Sequence, residues 1–151
     1  MRGRLGALLA LGAAISLVAA ACGGGGGASP SPSAGGVGGT ISLPGGIRAT
    51  NHWSASVSGQ GSAQIEASNG GTSYFFSPTV LTGTAGQKLT VTVKNTGDTE
   101  HNFSIDSESI SKNIQPGQQA TVTVTLPTSG SLVFYCVFHK SLGMAGELTA
   151  D

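Results

Sequence analysis

From Leu89 to Lys94 the chain alternates apolar and polar residues, with Leu89, Val91 and Val93 set against Thr90, Thr92 and Lys94. The pattern returns from Thr121 to Leu126, where Val122, Val124 and Leu126 alternate with Thr121, Thr123 and Thr125. A period of two sends successive side chains to opposite faces of an extended ribbon, so both segments are strands with one buried face. β-Branched and aromatic residues mark two more, Thr72–Phe76 and Leu132–Tyr135. Asn95-Thr96-Gly97-Asp98, Gln115-Pro116-Gly117 and Pro127-Thr128-Ser129-Gly130 are turn signals between them. Beyond the N-terminal apolar segment no stretch repeats with the helical period, and there is no internal repeat. Short strands with regular turns predict an all-β protein, an antiparallel Greek-key β-sandwich. Residues 62–151 suffice for one modest core and not for two domains.

The N-terminus reads differently. Arg2 and Arg4 precede an apolar run from Leu5 to Ala21, which ends in the small residues Ala19-Ala20-Ala21 before Cys22. This is the layout of an export signal over residues 1–21, and it is short and rich in Ala and Gly for a spanning helix. Cys22 directly after the small residues resembles a bacterial lipoprotein box, although Ala19 stands where Leu is commoner. On that reading Cys22 is the acylated first residue of the mature protein. The other reading is ordinary signal cleavage, with Cys22 a free thiol or a disulfide partner.

From Gly23 to Gly46, 11 of 24 residues are Gly and three are Pro, with Val37, Ile41 and Leu43 the sizeable apolar residues. Such a composition buries too little surface to offset its ordering entropy and reads as a flexible tether, with Thr40–Leu43 a stray strand. Ile47–Gly61 is the least legible part. His52 and Trp53 there suit either a metal ligand and docking aromatic or plain packing. The division expected is therefore 1–21 signal, 22–61 lipidated Cys and tether, and 62–151 the folded domain.

Charge excludes some partners. The chain carries 7 basic and 7 acidic residues, and loss of Arg2 and Arg4 with the signal leaves 5 against 7. No basic patch supports nucleic-acid binding. No strong electrostatic docking patch is visible, and a monomer is expected.

Chemistry concentrates in Tyr135-Cys136-Val137-Phe138-His139-Lys140-Ser141-Leu142-Gly143-Met144, a short loop between strand-like segments that carries a thiol, an imidazole and a thioether. His101 can supply a second imidazole from an upstream strand. One Cys, two His and a weak axial Met form the ligand set of a blue-copper electron-transfer site. The soft sulfurs favour Cu(I), while imidazole also suits Cu(II). With only two Cys in the chain, a Cys22–Cys136 disulfide would consume the thiol at the head of this loop. Each ligand alone has an ordinary alternative: a surface His, a gap-filling Met, a small buried Cys.

From about Ser62 onward the chain resembles the cupredoxins, nearest in its loop to the plastocyanin-like members. Their Cys-x2-His-x4-Met spacing is matched by Cys136, His139 and Met144, their upstream His-Asn pair by His101 and Asn102, and their Phe-Tyr-Cys run by Phe134-Tyr135-Cys136. Phe138 departs from the Pro that often precedes the loop His. The resemblance implies one type 1 copper per chain, held by His101, Cys136, His139 and Met144, with Asn102 behind them tying its strand to the Cys loop. It implies His139 as the solvent-edge ligand through which electrons pass, Phe138, Leu142 and Gly143 as docking surface for redox protein partners, and the Tyr135-Cys136 segment as a second route.

These readings converge on a non-enzymatic electron carrier, extracytoplasmic and lipid-anchored to the cell membrane on its periplasmic or outer face. A dinuclear copper site would need a second loop Cys, and none lies between Cys136 and Asp151. Multicopper enzymes place an extra His beside the loop Cys, whereas Tyr135 and Val137 flank it here. A Cys136–His139 nucleophile pair is disfavoured, because such a catalytic site normally draws its His from elsewhere in the chain and a third group orients it. The rival classes are a protein that buffers or delivers copper without a redox role and a metal-free adhesive sandwich.

Overall fold

The computed structural model describes residues 37–151; the signal segment and Cys22 lie outside the described residues. Among the described residues twelve strands run in order: β1 (Thr40–Leu43), β2 (Ile47–Thr50), β3 (Ser54–Ser56), β4 (Ser62–Gly70), β5 (Ser73–Ser77), β6 (Val80–Gly83), β7 (Lys88–Asn95), β8 (His101–Ile105), β9 (Ile110–Ile114), β10 (Gln119–Thr125), β11 (Ser131–Tyr135) and β12 (Ala145–Ala150). They form a four-stranded sheet in the order β10-β7-β4-β5, a six-stranded sheet in the order β3-β6-β12-β11-β8-β9, and the separate hairpin β1-β2. The protein is an all-β sandwich, as the alternation predicts.

The predicted faces are the observed ones. Leu89, Val91 and Val93 on β7 are fully buried and pair across the ladder with Val124, Val122 and Ala120 of β10. Each such side chain, fully removed from water, contributes about 1.5–3 kcal/mol. The opposing sheet supplies Phe103, Ile105, Phe134 and Leu148 to the same cluster, and Phe76 meets Phe103 and Phe134 edge-on, with ring centroids 5.9 and 5.2 Å apart. The predicted turn at Gln115-Pro116-Gly117 is closed by the Gln118 N–H donating to the Gln115 carbonyl at 2.9 Å.

Two features differ from the sequence reading. The sandwich is mixed: β4–β7, β6–β12 and β3–β6 are parallel pairs. The chain leaves the four-stranded sheet after β5, contributes β6 to the other sheet and returns as β7, so β4 and β7 become parallel neighbours with no helical crossover between them. The boundary at Ser62 also falls inside the fold. β3 pairs with β6, and the β1–β2 hairpin buries Leu43 and Ala49 against Ala145 of β12. Short strands whose buried residues are Ala49 and Ala55 leave no readable alternation of large apolar groups.

Candidate metal centre

The metal loop is tied to itself by its backbone. The Cys136 N–H donates to the Met144 carbonyl at 3.0 Å, and the N–H groups of Leu142 and Met144 donate to the His139 carbonyl at 2.9 and 3.1 Å. A single 3-10 turn, Lys140–Leu142, follows His139 and ends at Gly143 with φ 90°, in the left-handed region that favours glycine. These bonds fasten the two ends of the loop together, so Cys136 and Met144 enter the site side by side, both fully buried.

His101 opens β8, and the preceding turn delivers it. Asn95, fully buried, donates from Nδ2 to the carbonyls of Thr99 and Ile114, both at 2.8 Å, and accepts the Gly97 N–H at 2.9 Å. Gly97 lies against the imidazole: a Cβ there would come within 3.0 Å of His101 Nε2. The turn signal at Asn95–Asp98 thus has a structural purpose that its composition does not disclose.

Among the described residues, one group of His, Cys and acidic side chains is placed to share a metal ion. It is His101, Cys136 and His139, whose ligand atoms lie within 4.8 Å of one another. Cys136 Sγ and His139 Nδ1 are 3.4 Å apart, and the two imidazoles stand 5.2 Å apart at 72°. Both histidines are held below the usual imidazole range. His101 is lowered to about 4 by burial, with the nearby His139 acting in the same sense and Asp98 opposing; His139 is lowered by burial. The neutral imidazole is the form that binds metal.

The donor set fits copper. Both ring nitrogens of His101 are buried without a hydrogen-bond partner, a costly state for polar atoms unless a ligand satisfies one of them. A thiol, two neutral imidazoles and a buried thioether side chain at one end of a sandwich match the soft and borderline preferences of Cu(I) and Cu(II).

Around these residues the structure refines the sequence reading. The backbone N–H of Asn102 donates to Cys136 Sγ at 3.3 Å, so the tie between β8 and the Cys loop is a main-chain one. Its side chain turns instead to β9, donating to Asn113 Oδ1 at 2.8 Å and Ser111 Oγ at 3.2 Å and accepting the Ser104 hydroxyl at 2.6 Å. Phe138 and Leu142 are about half exposed, and Val137 joins them; Gly143 is half-buried beneath Thr50. Tyr135 bonds through its hydroxyl to Asp106, and the Lys140 ammonium lies 3.9 Å from its ring centroid. His52 and Trp53 stand apart from the metal group. His52 stacks on Phe75 at 3.6 Å, and Trp53 Nε1 donates to Ser77 Oγ at 2.7 Å, which is packing. Tyr74, whose ring stacks on His139, and Thr50, whose N–H bonds to the Gly143 carbonyl, reach the site through strand register and hairpin packing, which the sequence does not display.

Comparison with known proteins agrees with this geometry. The Cupredoxin-like domain family matches residues 46–150. Plastocyanin A/B of Petroselinum crispum is 35% identical over 86 residues, which are 50% of this chain and 87% of that protein. The chloroplastic plastocyanin of Oryza sativa subsp. indica is 30% identical over 112 residues, 65% of this chain and 70% of its own. The solved structure of auracyanin B shares the fold with a TM-score of 0.50 at 17% identity, over 60% of this chain and 88% of that one. The chain belongs to the cupredoxin-like family, and its cofactor is one type 1 copper.

Proposed function

We propose that this protein is an extracytoplasmic one-electron carrier, held to the cell membrane through acylated Cys22 and exchanging electrons with redox protein partners at the exposed rim of the metal loop. The observation that carries the reading is the buried, unpartnered His101 imidazole beside Cys136 and His139, at the end of the sandwich where Val137, Phe138 and Leu142 are exposed. His101, Cys136, His139 and Met144 would hold the copper, which when bound supplies Cu(II)/Cu(I) exchange.

The residues themselves favour a carrier over a delivery protein. The Cys136–Met144 bond and the two bonds to the His139 carbonyl hold the loop in one shape, so little rearrangement is available to accompany a change of charge. The Asn102 N–H directed at Sγ stabilises negative charge on the sulfur, a hydrogen bond of the kind that tunes redox potential. A delivery site gains from an open, adaptable loop. Nucleophilic catalysis is disfavoured because the Cys136 thiol is fully buried.

The test is repeated reduction and reoxidation of the copper-loaded protein in the presence of a Cu(I) chelator. A carrier recovers its full visible absorption with copper still stoichiometric; loss of the metal on first reduction would favour delivery. Cell fractionation addresses the anchor. The wild type is expected in membranes, and Cys22→Ala is expected to be released or to stall as precursor, since stable anchoring needs buried acyl chains. A soluble wild type with an unmodified N-terminus would remove the tether.

A further inference from the structure

We propose that Tyr74 is a positioning residue of the metal centre, its ring holding the His139 imidazole by face-to-face stacking; the proposal rests on the copper reading of this site. Tyr74 sits on β5, and alternation puts it on the same face as Phe76, which is buried in the core. Its ring lies 4.0 Å from that of His139 and only 12° from parallel. The same ring meets His101 edge-on at 6.2 Å and 78°. Together with the 5.2 Å, 72° relation between the two imidazoles, this makes a set of three rings interlocked beside Cys136.

Two further facts give the contact a role. The backbone hydrogen bonds that close the metal loop fix the main chain of His139, and its imidazole is oriented by what lies against it, Cys136 Sγ 3.4 Å from Nδ1 and the face of the Tyr74 ring. A stacked aromatic selects one orientation of a half-exposed imidazole and removes the entropy of the others. In addition, Tyr74 pairs in register with Asn69 of β4. Asn69 donates from Nδ2 to Asp98 Oδ1 at 2.7 Å and accepts the Asp98 N–H at 3.2 Å, fastening the turn that delivers His101. One rung of the β4–β5 ladder therefore reaches both histidine-bearing segments, through a side-chain amide on one and a ring on the other. The rung holds the two imidazoles at a fixed separation whether or not metal is present, and the tyrosine ring covers the side of His139 that it stacks on.

The experiment uses the full chain as wild type, Tyr74→Phe and Tyr74→Leu. In copper-free wild type, the ring protons of His139 should show the upfield displacement of nuclei lying over an aromatic face, and Tyr74→Leu should abolish it. After copper loading, removal of Cu(I) by excess chelator should be roughly fivefold faster in Tyr74→Leu than in wild type and close to wild type in Tyr74→Phe, which keeps the ring. The absence of the upfield displacement in copper-free wild type would overturn the proposal even if Tyr74→Leu failed to fold. So would a folded Tyr74→Leu that holds copper as wild type does, or a Tyr74→Phe that loses it as fast as Tyr74→Leu. The proton measurement needs no metal, so its failure is distinct from failure of the copper reading, which would show as no copper retention by wild type.

Discussion

The backbone N–H of Thr50 donates to the carbonyl of Gly143 at 2.8 Å, joining the N-terminal hairpin to the metal loop. The hairpin's first strand, β1, precedes the region that matches the cupredoxin-like family, and the hairpin's buried residues, Leu43 of β1 and Ala49 of β2, press on Ala145 just beyond Met144. The loop is thus braced from outside as well as closed within.

Gly143 is where that brace is most sensitive. Its φ of 90° is strained for any other residue, and a Cβ there would stand 2.7 Å from Thr50 Oγ1. Gly143→Ala should lower stability by about 1–3 kcal/mol through backbone strain and overpacking together. Urea unfolding of the copper-free protein checks this, and an unchanged midpoint would mean that the brace yields freely.

The two functions of Asn102 can be separated. Asn102→Ala keeps the main-chain N–H that points at Cys136 Sγ but removes the side-chain bonds to Asn113, Ser111 and Ser104. It should cost about 1–3 kcal/mol of stability, because buried partners lose their bonds, and leave the visible spectrum of the copper protein nearly unchanged. A large spectral shift would place the side chain, rather than the backbone, in control of the sulfur.

Acid should destabilise the copper-free protein in a defined window. His101 titrates at about 4 in the fold against 6.5 in the unfolded chain, so between those values the unfolded chain binds more protons. Stability is then fully present above about 6.5 and is lost as the pH falls through about 4; lowering of His139 and His52 by burial acts in the same direction. Urea midpoints measured across the window should fall with pH, and the fall should be shallower in His101→Leu. A flat profile in wild type would contradict the burial of that imidazole.

Electron self-exchange between two copies of the protein reports on the rim of the loop. Lys140 is the loop's sole formally charged residue apart from its histidine, and its ammonium lies over Tyr135, so the exchange rate should depend weakly on ionic strength. Leu142→Glu should slow exchange about tenfold, equivalent to about 1.4 kcal/mol, without changing the spectrum. A rate indifferent to Leu142 and steeply dependent on salt would move the port elsewhere.

How much of this was legible follows the range of the interactions. The strands around Val91 and Val122 were readable because their alternation is local and one face is wholly buried. The loop ligands were readable because Cys136, His139 and Met144 lie within nine residues of one another, and His101 through its resemblance to a family pattern. The sequence marks the β1–β2 hairpin only as a stray strand at Thr40–Leu43, since its partner Ile47–Thr50 gains its stability from packing on β12 and not from its own pattern. Parallel pairing of β4 with β7 depends on where the chain changes sheets. Tyr74 against His139, Asn69 against Asp98 and Thr50 against Gly143 join segments far apart in sequence, and their residue types carry no mark of it.

Whether Cys136 binds copper as a thiolate is decided by the visible absorption of the copper-loaded protein beside that of Cys136→Ser. An intense thiolate-to-copper band is expected in wild type and its loss in Cys136→Ser, which should still unfold cooperatively because the core clusters on Phe76, Phe103 and Phe134. A copper-loaded wild type with no such band, or a Cys136→Ser protein that remains intensely blue, would contradict it.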